Sequence, residues 1–146
     1  MLKPGTPAPN PNVTTHLGQE GPLSDFWKEG PLILFFYPKD DTSICTKQAC
    51  TLQTSLSSFG EFGASVLGSS TDNGQRHEHF AKKHGISFPL VIDKGGKLAK
   101  AFEARRAIIG ISKRITYVID QEGVIKGALH DEFSVGAHLD MIKSVL

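Results

Sequence analysis

Leu32-Ile33-Leu34-Phe35-Phe36-Tyr37 is an unbroken apolar run that Pro38 stops. The run does not alternate, so it predicts a strand buried on both faces rather than one with a wet side. Such a strand needs a covering layer above and below, which restricts the chain to a layered fold with this segment near its centre. The run is far too short to cross a bilayer, so no membrane partner is expected.

The flanking segments supply those layers. Residues 1–22 are rich in Pro, Gly, Asn and Thr and predict loops with a short edge hairpin around Val13 to Leu17. Thr42 or Ser43 can cap a helix that runs through Cys45, Cys50, Leu52 and Leu56 to about Phe59, ended by Gly60 and Gly63. Ala64 to Ser70 predicts a second apolar strand, and Asn73 or Asp72 caps a charged helix ending at Gly85. Phe88 to Asp93 predicts a strand, Gly95-Gly96 a turn, and Leu98 to Phe102 a short helix. Arg114 to Asp120 and Val124 to His130 predict a hairpin turned by Gln121-Glu122-Gly123, and Ala137 to Val145 a closing helix.

Strands alternating with helices, followed by a hairpin, predict an α/β fold of thioredoxin-like arrangement, with a central mixed β-sheet and helices on both faces. A length of 146 residues predicts one domain, 1–146. A domain of that size buries ~68–70% of its unfolded surface, so it needs no metal or disulfide staple to fold.

Sixteen basic and fifteen acidic residues leave a formal net charge of +1, with no basic stripe, so no nucleic acid partner is expected. The first eleven residues contain Lys3 and four prolines but no apolar core, which argues against a secretory signal. Two cysteines are too few for a disulfide framework; they point to chemistry or to chance occurrence, in a reducing, cytoplasmic compartment.

One cysteine sits where chemistry is expected. Pro38-Lys39-Asp40-Asp41-Thr42-Ser43-Ile44-Cys45 joins the buried strand to the following helix, and the carboxyl end of a strand in an open α/β sheet is the usual ligand site. Cys45 in the first helical turn faces the positive end of the helix dipole, which favours thiolate over thiol. A thiol of pKa ~8.5 is about 3% ionised at pH 7 and one of pKa ~6 about 90%, a gain of roughly 30-fold that cannot by itself make a fast enzyme. The rest must come from holding the substrate and stabilising charge on its leaving atom. Thr42 offers a hydroxyl, Ile44 and Cys45 offer backbone N–H groups, and Pro38 can roof the sulfur against water. Arg114, at the start of its strand, is the cation best placed to reach the loop.

Pro38-x-x-x-Thr42-x-x-Cys45 resembles the signature of the peroxiredoxins. Phe36-Tyr37-Pro38-Lys39-Asp40-Asp41-Thr42 followed by Cys45-Thr46-Lys47-Gln48-Ala49-Cys50 is similar to the bacterioferritin comigratory protein, or Q-type, branch. The likeness extends to Ser69-Ser70-Thr71-Asp72, Phe88-Pro89-Leu90 and Arg114-Ile115-Thr116-Tyr117-Val118-Ile119-Asp120. It implies a thiol-dependent peroxidase acting on hydrogen peroxide and organic hydroperoxides. Cys45 would be the peroxidatic cysteine, Thr42 and Arg114 its activating partners, and Gln48 a polar neighbour of the arginine in the substrate site. It also implies Cys50 as the resolving cysteine, thioredoxin or a similar dithiol as reductant, and a monomer without a cofactor. Ser43-Ile44 stands where the branch commonly has Pro-Gly.

The cysteine spacing adds a separate constraint. Residues five apart in an ideal helix have Cα atoms roughly 8.7 Å apart, whereas a disulfide needs ~4.4–6.8 Å. Cys45 and Cys50 therefore join only if the helix between them unwinds. If Cys50 instead packs inertly against the sheet, an outside thiol must resolve Cys45. His77-Glu78-His79-Phe80-Ala81 lacks the second histidine that a zinc-protease helix requires, so this segment reads as a solvated helix face and no metal is expected. Neither a Cys-x-x-Cys motif nor a nucleotide-binding glycine loop is present.

Overall fold

In the computed structural model, which describes residues 1–108 and 110–146, Leu32–Phe36 forms strand β3 with every residue fully buried. Two short strands precede it, β1 (Asn12–Thr14) and β2 (Glu20–Pro22), paired as an antiparallel edge hairpin. Beyond it follow α1 (Ser43–Thr54), α2 (Leu56–Gly60), β4 (Ser65–Ser70), α3 (Gly74–His84), β5 (Leu90–Ile92), α4 (Lys97–Ala101), β6 (Ile115–Ile119), β7 (Ile125–His130) and α5 (Val135–Val145). The main sheet has the order β5-β4-β3-β6-β7. β3 pairs in parallel with β4 and antiparallel with β6, so the apolar run is the central strand, as its composition predicts.

Alternation along β3 divides the core in two. Leu32, Leu34 and Phe36 face Leu23, Trp27, Leu98, Phe102 and Tyr117. Ile33, Phe35 and Tyr37 face Ala49, Leu52, Phe59, Phe80 and Ile142, drawn from α1, α2, α3 and α5. Each face is thus covered, although four of the five α-helices among the described residues crowd onto one side. No helix among the described residues is long and apolar enough to cross a membrane.

The expected caps are present on α3. The Asn73 side chain accepts from the Arg76 amide at 2.9 Å, and Gly85 takes φ 66° to close the helix. Two expectations are corrected. The helix after Pro38 does not run unbroken to Phe59: it stops at Thr54, where Thr54 Oγ1 donates to the Cys50 carbonyl and Ser55 Oγ to that of Thr51, and α2 starts afresh at Leu56. Hydroxyls that compete for helix carbonyls in this way weaken the regular ladder. Nor is the His77 segment a wholly solvated face, because His77 is completely buried while Glu78, His79, Lys82 and Lys83 are exposed.

Candidate functional site

Sheet register explains why residues distant in sequence meet. Phe36, the last residue of β3, lies opposite Ile115, the first of β6. Arg114 therefore emerges beside the loop that leaves β3, where Pro38, half-buried, turns the chain toward α1. Cys45 lies in the first turn of α1 and is 1% exposed; Arg114 is 4% exposed.

The guanidinium uses its whole fork. Nη2 donates to Cys45 Sγ at 3.3 Å, Nη1 to Gln48 Oε1 at 3.0 Å, and Nε to the Glu132 carbonyl at 3.1 Å. The Arg114 backbone N–H donates to the Glu132 carboxylate at 3.0 Å, so one residue grips both ends of the arginine. Gln48 is fully buried, and with Oε1 held by Arg114 its Nε2 has no partner among the described residues. Cys45, Gln48 and Arg114 thus form one hydrogen-bonded cluster.

Thr42 stands at the N-cap of α1 but does not cap it with its side chain. Its hydroxyl donates to the Lys39 carbonyl at 3.0 Å, which leaves the oxygen free to accept. The first intrahelical bond of α1 is Thr46 N–H to the Thr42 carbonyl, at 2.8 Å. The amides of Ser43, Ile44 and Cys45 are the orphan donors of this helix start, in the same turn as the sulfur. Cys50 lies further along the same intact helix and is half-buried. The structure does not bring it to Cys45, and both are free thiols.

Glu132 and His138 escaped the reading of the sequence; nothing local marks either as a neighbour of Arg114. Burial pulls the Glu132 carboxyl upward, but the Arg114 amide, His130 and Arg106 together hold it below the usual range. Its oxygens meet His130 Nε2 at 2.6 Å and Arg106 Nη2 at 3.0 Å. His138, on α5, meets the Asp131 carbonyl through Nε2 at 2.8 Å and Thr116 Oγ1 through Nδ1 at 2.7 Å. A carbonyl only accepts, so Nε2 carries hydrogen and the Thr116 hydroxyl donates to Nδ1.

Desolvation by burial holds His138 below its ordinary value of 6.5, against an upward pull from the Asp131 carbonyl, and the charge of Arg114 adds to the lowering. Below that pH the unfolded chain takes up a proton that the folded chain resists, so stability present above it is lost as pH falls. His138→Gln keeps a donor for Asp131 and an acceptor for Thr116 but cannot titrate. Urea unfolding at about pH 7.5 and about pH 5.5 should show a smaller acid loss in this variant than in the unaltered protein.

Residues 4–128 match the model of the AhpC/TSA family. The chain is 38% identical over 141 residues to a chloroplastic peroxiredoxin Q of Sedum lineare, covering 96% of this chain and 75% of that protein. For a rice peroxiredoxin Q the identity is 35%, and the match covers 65% of the relative. A putative peroxiredoxin of Mycobacterium tuberculosis is 33% identical over 148 residues, with 99% and 96% of the two chains covered. The crystal structure of peroxidoxin BcpB from Mycobacterium tuberculosis superposes with a TM-score of 0.91 at 31% identity, covering 100% of this chain and 99% of that one. The bacterioferritin comigratory protein of Xanthomonas campestris gives 0.82 at 27% identity, with 94% of each chain covered.

The thioredoxin-like layers and the arginine-bonded cysteine define a thiol peroxidase, and the chain belongs to the AhpC/TSA family. Within it, the likeness is to the peroxiredoxin Q, or bacterioferritin comigratory protein, branch.

Proposed function

We propose that the chain reduces hydrogen peroxide and organic hydroperoxides through Cys45, with Cys50 as resolving thiol and a thioredoxin-type dithiol as reductant. The 3.3 Å bond from Arg114 to Cys45 Sγ carries this reading, because it pairs the one helix-start sulfur with a buried, permanently charged donor. The Xanthomonas relative supports the substrate class, since its structures are described in terms of alkyl peroxide reduction.

In this mechanism a peroxide enters between Thr42 and Arg114. Its O–H donates to Thr42 Oγ1, which can accept because its own hydrogen is held by Lys39. The Cys45 thiolate attacks the near oxygen; the S–O bond forms as O–O breaks, and the departing alkoxide takes a proton to become an alcohol or water. Arg114 and the free amides at the start of α1 stabilise the negative charge as it moves between the oxygens. Gln48 holds the guanidinium in plane, and Pro38, lacking an N–H, shields the sulfur. Cys45 is left as sulfenic acid. The Cys50 thiol then attacks that sulfur, forming a disulfide and releasing water, and an external dithiol exchanges with the disulfide to restore both thiols.

Cytoplasmic location and a monomeric state complete the proposal. A cycle that consumes dithiol reductant fits a reducing compartment. Mixing reduced protein with one equivalent of peroxide should remove two thiols per chain within seconds, and Cys45→Ser should abolish that loss. Retention of both thiols in the unaltered protein overturns the assignment.

A further inference from the structure

The loop that carries the site has a second anchor, away from the sulfur. Asp40 is buried between Pro38 and Thr42, and three side chains hold it. Tyr37, following β3, donates its hydroxyl to Asp40 Oδ1 at 2.5 Å. His77 of α3 meets Asp40 Oδ2 through Nδ1 at 2.6 Å and the Val91 carbonyl of β5 through Nε2 at 2.7 Å. The Asp40 backbone N–H donates to Asp72 Oδ2 at 2.7 Å, an oxygen that also accepts from Ser70 Oγ at 2.6 Å at the end of β4. Arg76 closes the far side of Asp72 at 3.0 Å.

Asp40, Asp72 and His77 bring their ligand atoms within 4.8 Å of one another, a spacing that a metal ion could use. Yet each carboxylate oxygen already has a donor, and Nε2 of His77 is turned onto a carbonyl. The group is built to hold a backbone segment. Tyr37 answers to the same design: burial, and then Asp40, push its hydroxyl well above the usual range, so it stays a donor. The exposed neighbour Asp41 repeats the attachment on the surface, with φ 65° and contacts to His84 at 3.1 Å and Lys83 at 3.3 Å.

We propose that Asp40, clasped by Tyr37, His77 and Asp72, is a positioning residue that keeps the Pro38–Thr42 corner in its reactive shape and sets how readily α1 unwinds. Thr42, two residues beyond the clasp, supplies the carbonyl that starts α1 and the oxygen that receives the peroxide O–H. Fixing this corner therefore favours the wound helix in which Cys45 meets Arg114. Releasing it favours the unwound helix in which Cys45 can reach Cys50. The clasp acts with opposite sign on the two halves of the cycle. This inference rests on the cycle proposed above, although the state of α1 in reduced protein can be read without peroxide.

Asp40→Ala removes both side-chain bonds to Tyr37 and His77 but keeps the backbone bond to Asp72. Asp40→Asn offers an oxygen to the tyrosine and an amide N–H to the histidine, and so restores the clasp without the charge. Asp40→Ala should oxidise Cys45 roughly ten- to a hundredfold more slowly and form the disulfide several times faster, so its sulfinic fraction under excess peroxide should fall. Asp40→Asn should stay within about threefold of the unaltered protein in both steps, a difference well below the hundredfold that misplacement can cost. Amide exchange of residues 39–54 in reduced protein should be faster in Asp40→Ala only. If Asp40→Ala does not fold, Tyr37→Phe, which deletes one hydroxyl, must show the same opposed shifts at smaller size. Equal slowing of both steps, or unchanged exchange and unchanged partition, overturns the proposal. Failure of the unaltered protein to lose thiols to peroxide would overturn the cycle instead, and the exchange comparison would still judge the clasp.

Discussion

Replacing Arg114 with methionine should slow the oxidation of Cys45 by hydrogen peroxide about 10²–10³-fold, the usual loss when one preorganised donor is taken from developing charge. The side chain serves three acceptors at once, Cys45 Sγ, Gln48 Oε1 and the Glu132 carbonyl, and methionine serves none of them. Charge leaves the sulfur and arrives on the departing oxygen during the step, and only a donor already in place stabilises both without reorganisation. Arg114→Lys tests geometry against charge. An ammonium is a compact point charge on a flexible stem and cannot span the same three acceptors in one plane. Lysine should therefore recover only part of the rate, less than half of it on a logarithmic scale by the same reasoning.

Single-turnover mixing, followed as loss of the Cys45 thiol, gives the rate constant directly. Arg114→Met should lose about 2–4 kcal/mol of stability, because it leaves Gln48 Oε1 and the Glu132 carbonyl without their donor, and the rate is read under conditions where the variant is folded. Circular dichroism and the urea midpoint check this. A rate within about threefold of the unaltered protein would remove the guanidinium from the mechanism, since no oxyanion donor of this kind is worth so little.

How much of this was legible beforehand depends on the distance over which each feature is determined. β3 was legible because an apolar run closed by proline reads the same in every context. The caps of α3 were legible because Asn73 and Gly85 act on their own neighbours. The break in α1 was missed, since Thr54 and Ser55 compete with the helix ladder only weakly, and sequence periodicity continues to Phe59. His77 was misread for a different reason. Its partner Asp40 lies 37 residues earlier, and its charged neighbours on α3 disguise the buried position. The meeting of Cys45 with Arg114 was expected from a strand-start arginine and from the family resemblance. Its physical cause, the pairing of Phe36 with Ile115, became visible only with the sheet. Glu132 was not visible in the sequence, because it lies 18 residues from Arg114 and one of its two contacts to it is a main-chain carbonyl, which any residue type could supply.

Cys50→Ser should leave the first turnover intact and nearly abolish the rest. Among the described residues Cys50 makes no hydrogen bond to Cys45 or to the Arg114 side chain, so sulfenic acid should form at close to the normal rate, with one equivalent of peroxide consumed per chain. Sustained turnover with a thioredoxin system should then drop by about 10²-fold or more, since a tethered thiol at an effective concentration of millimolar or above is replaced by one in free solution. The first half of this result depends on chemistry at the helix start, and the second on α1 giving way. With α1 wound from Ser43 to Thr54, the two Cα atoms stand roughly 8.7 Å apart, beyond the ~6.8 Å at which a disulfide can close. Oxidised protein must therefore have lost part of that helix. The break at Ser55 sets the far limit of what can unwind, because α2 carries its own buried anchor in Phe59. Amide exchange should accordingly quicken across residues 43–52 on oxidation while α2 keeps its protection. Equal exchange in the two redox states, together with undiminished turnover in Cys50→Ser, would mean that Cys50 is a packing residue and that Cys45 is resolved by a thiol from outside the chain.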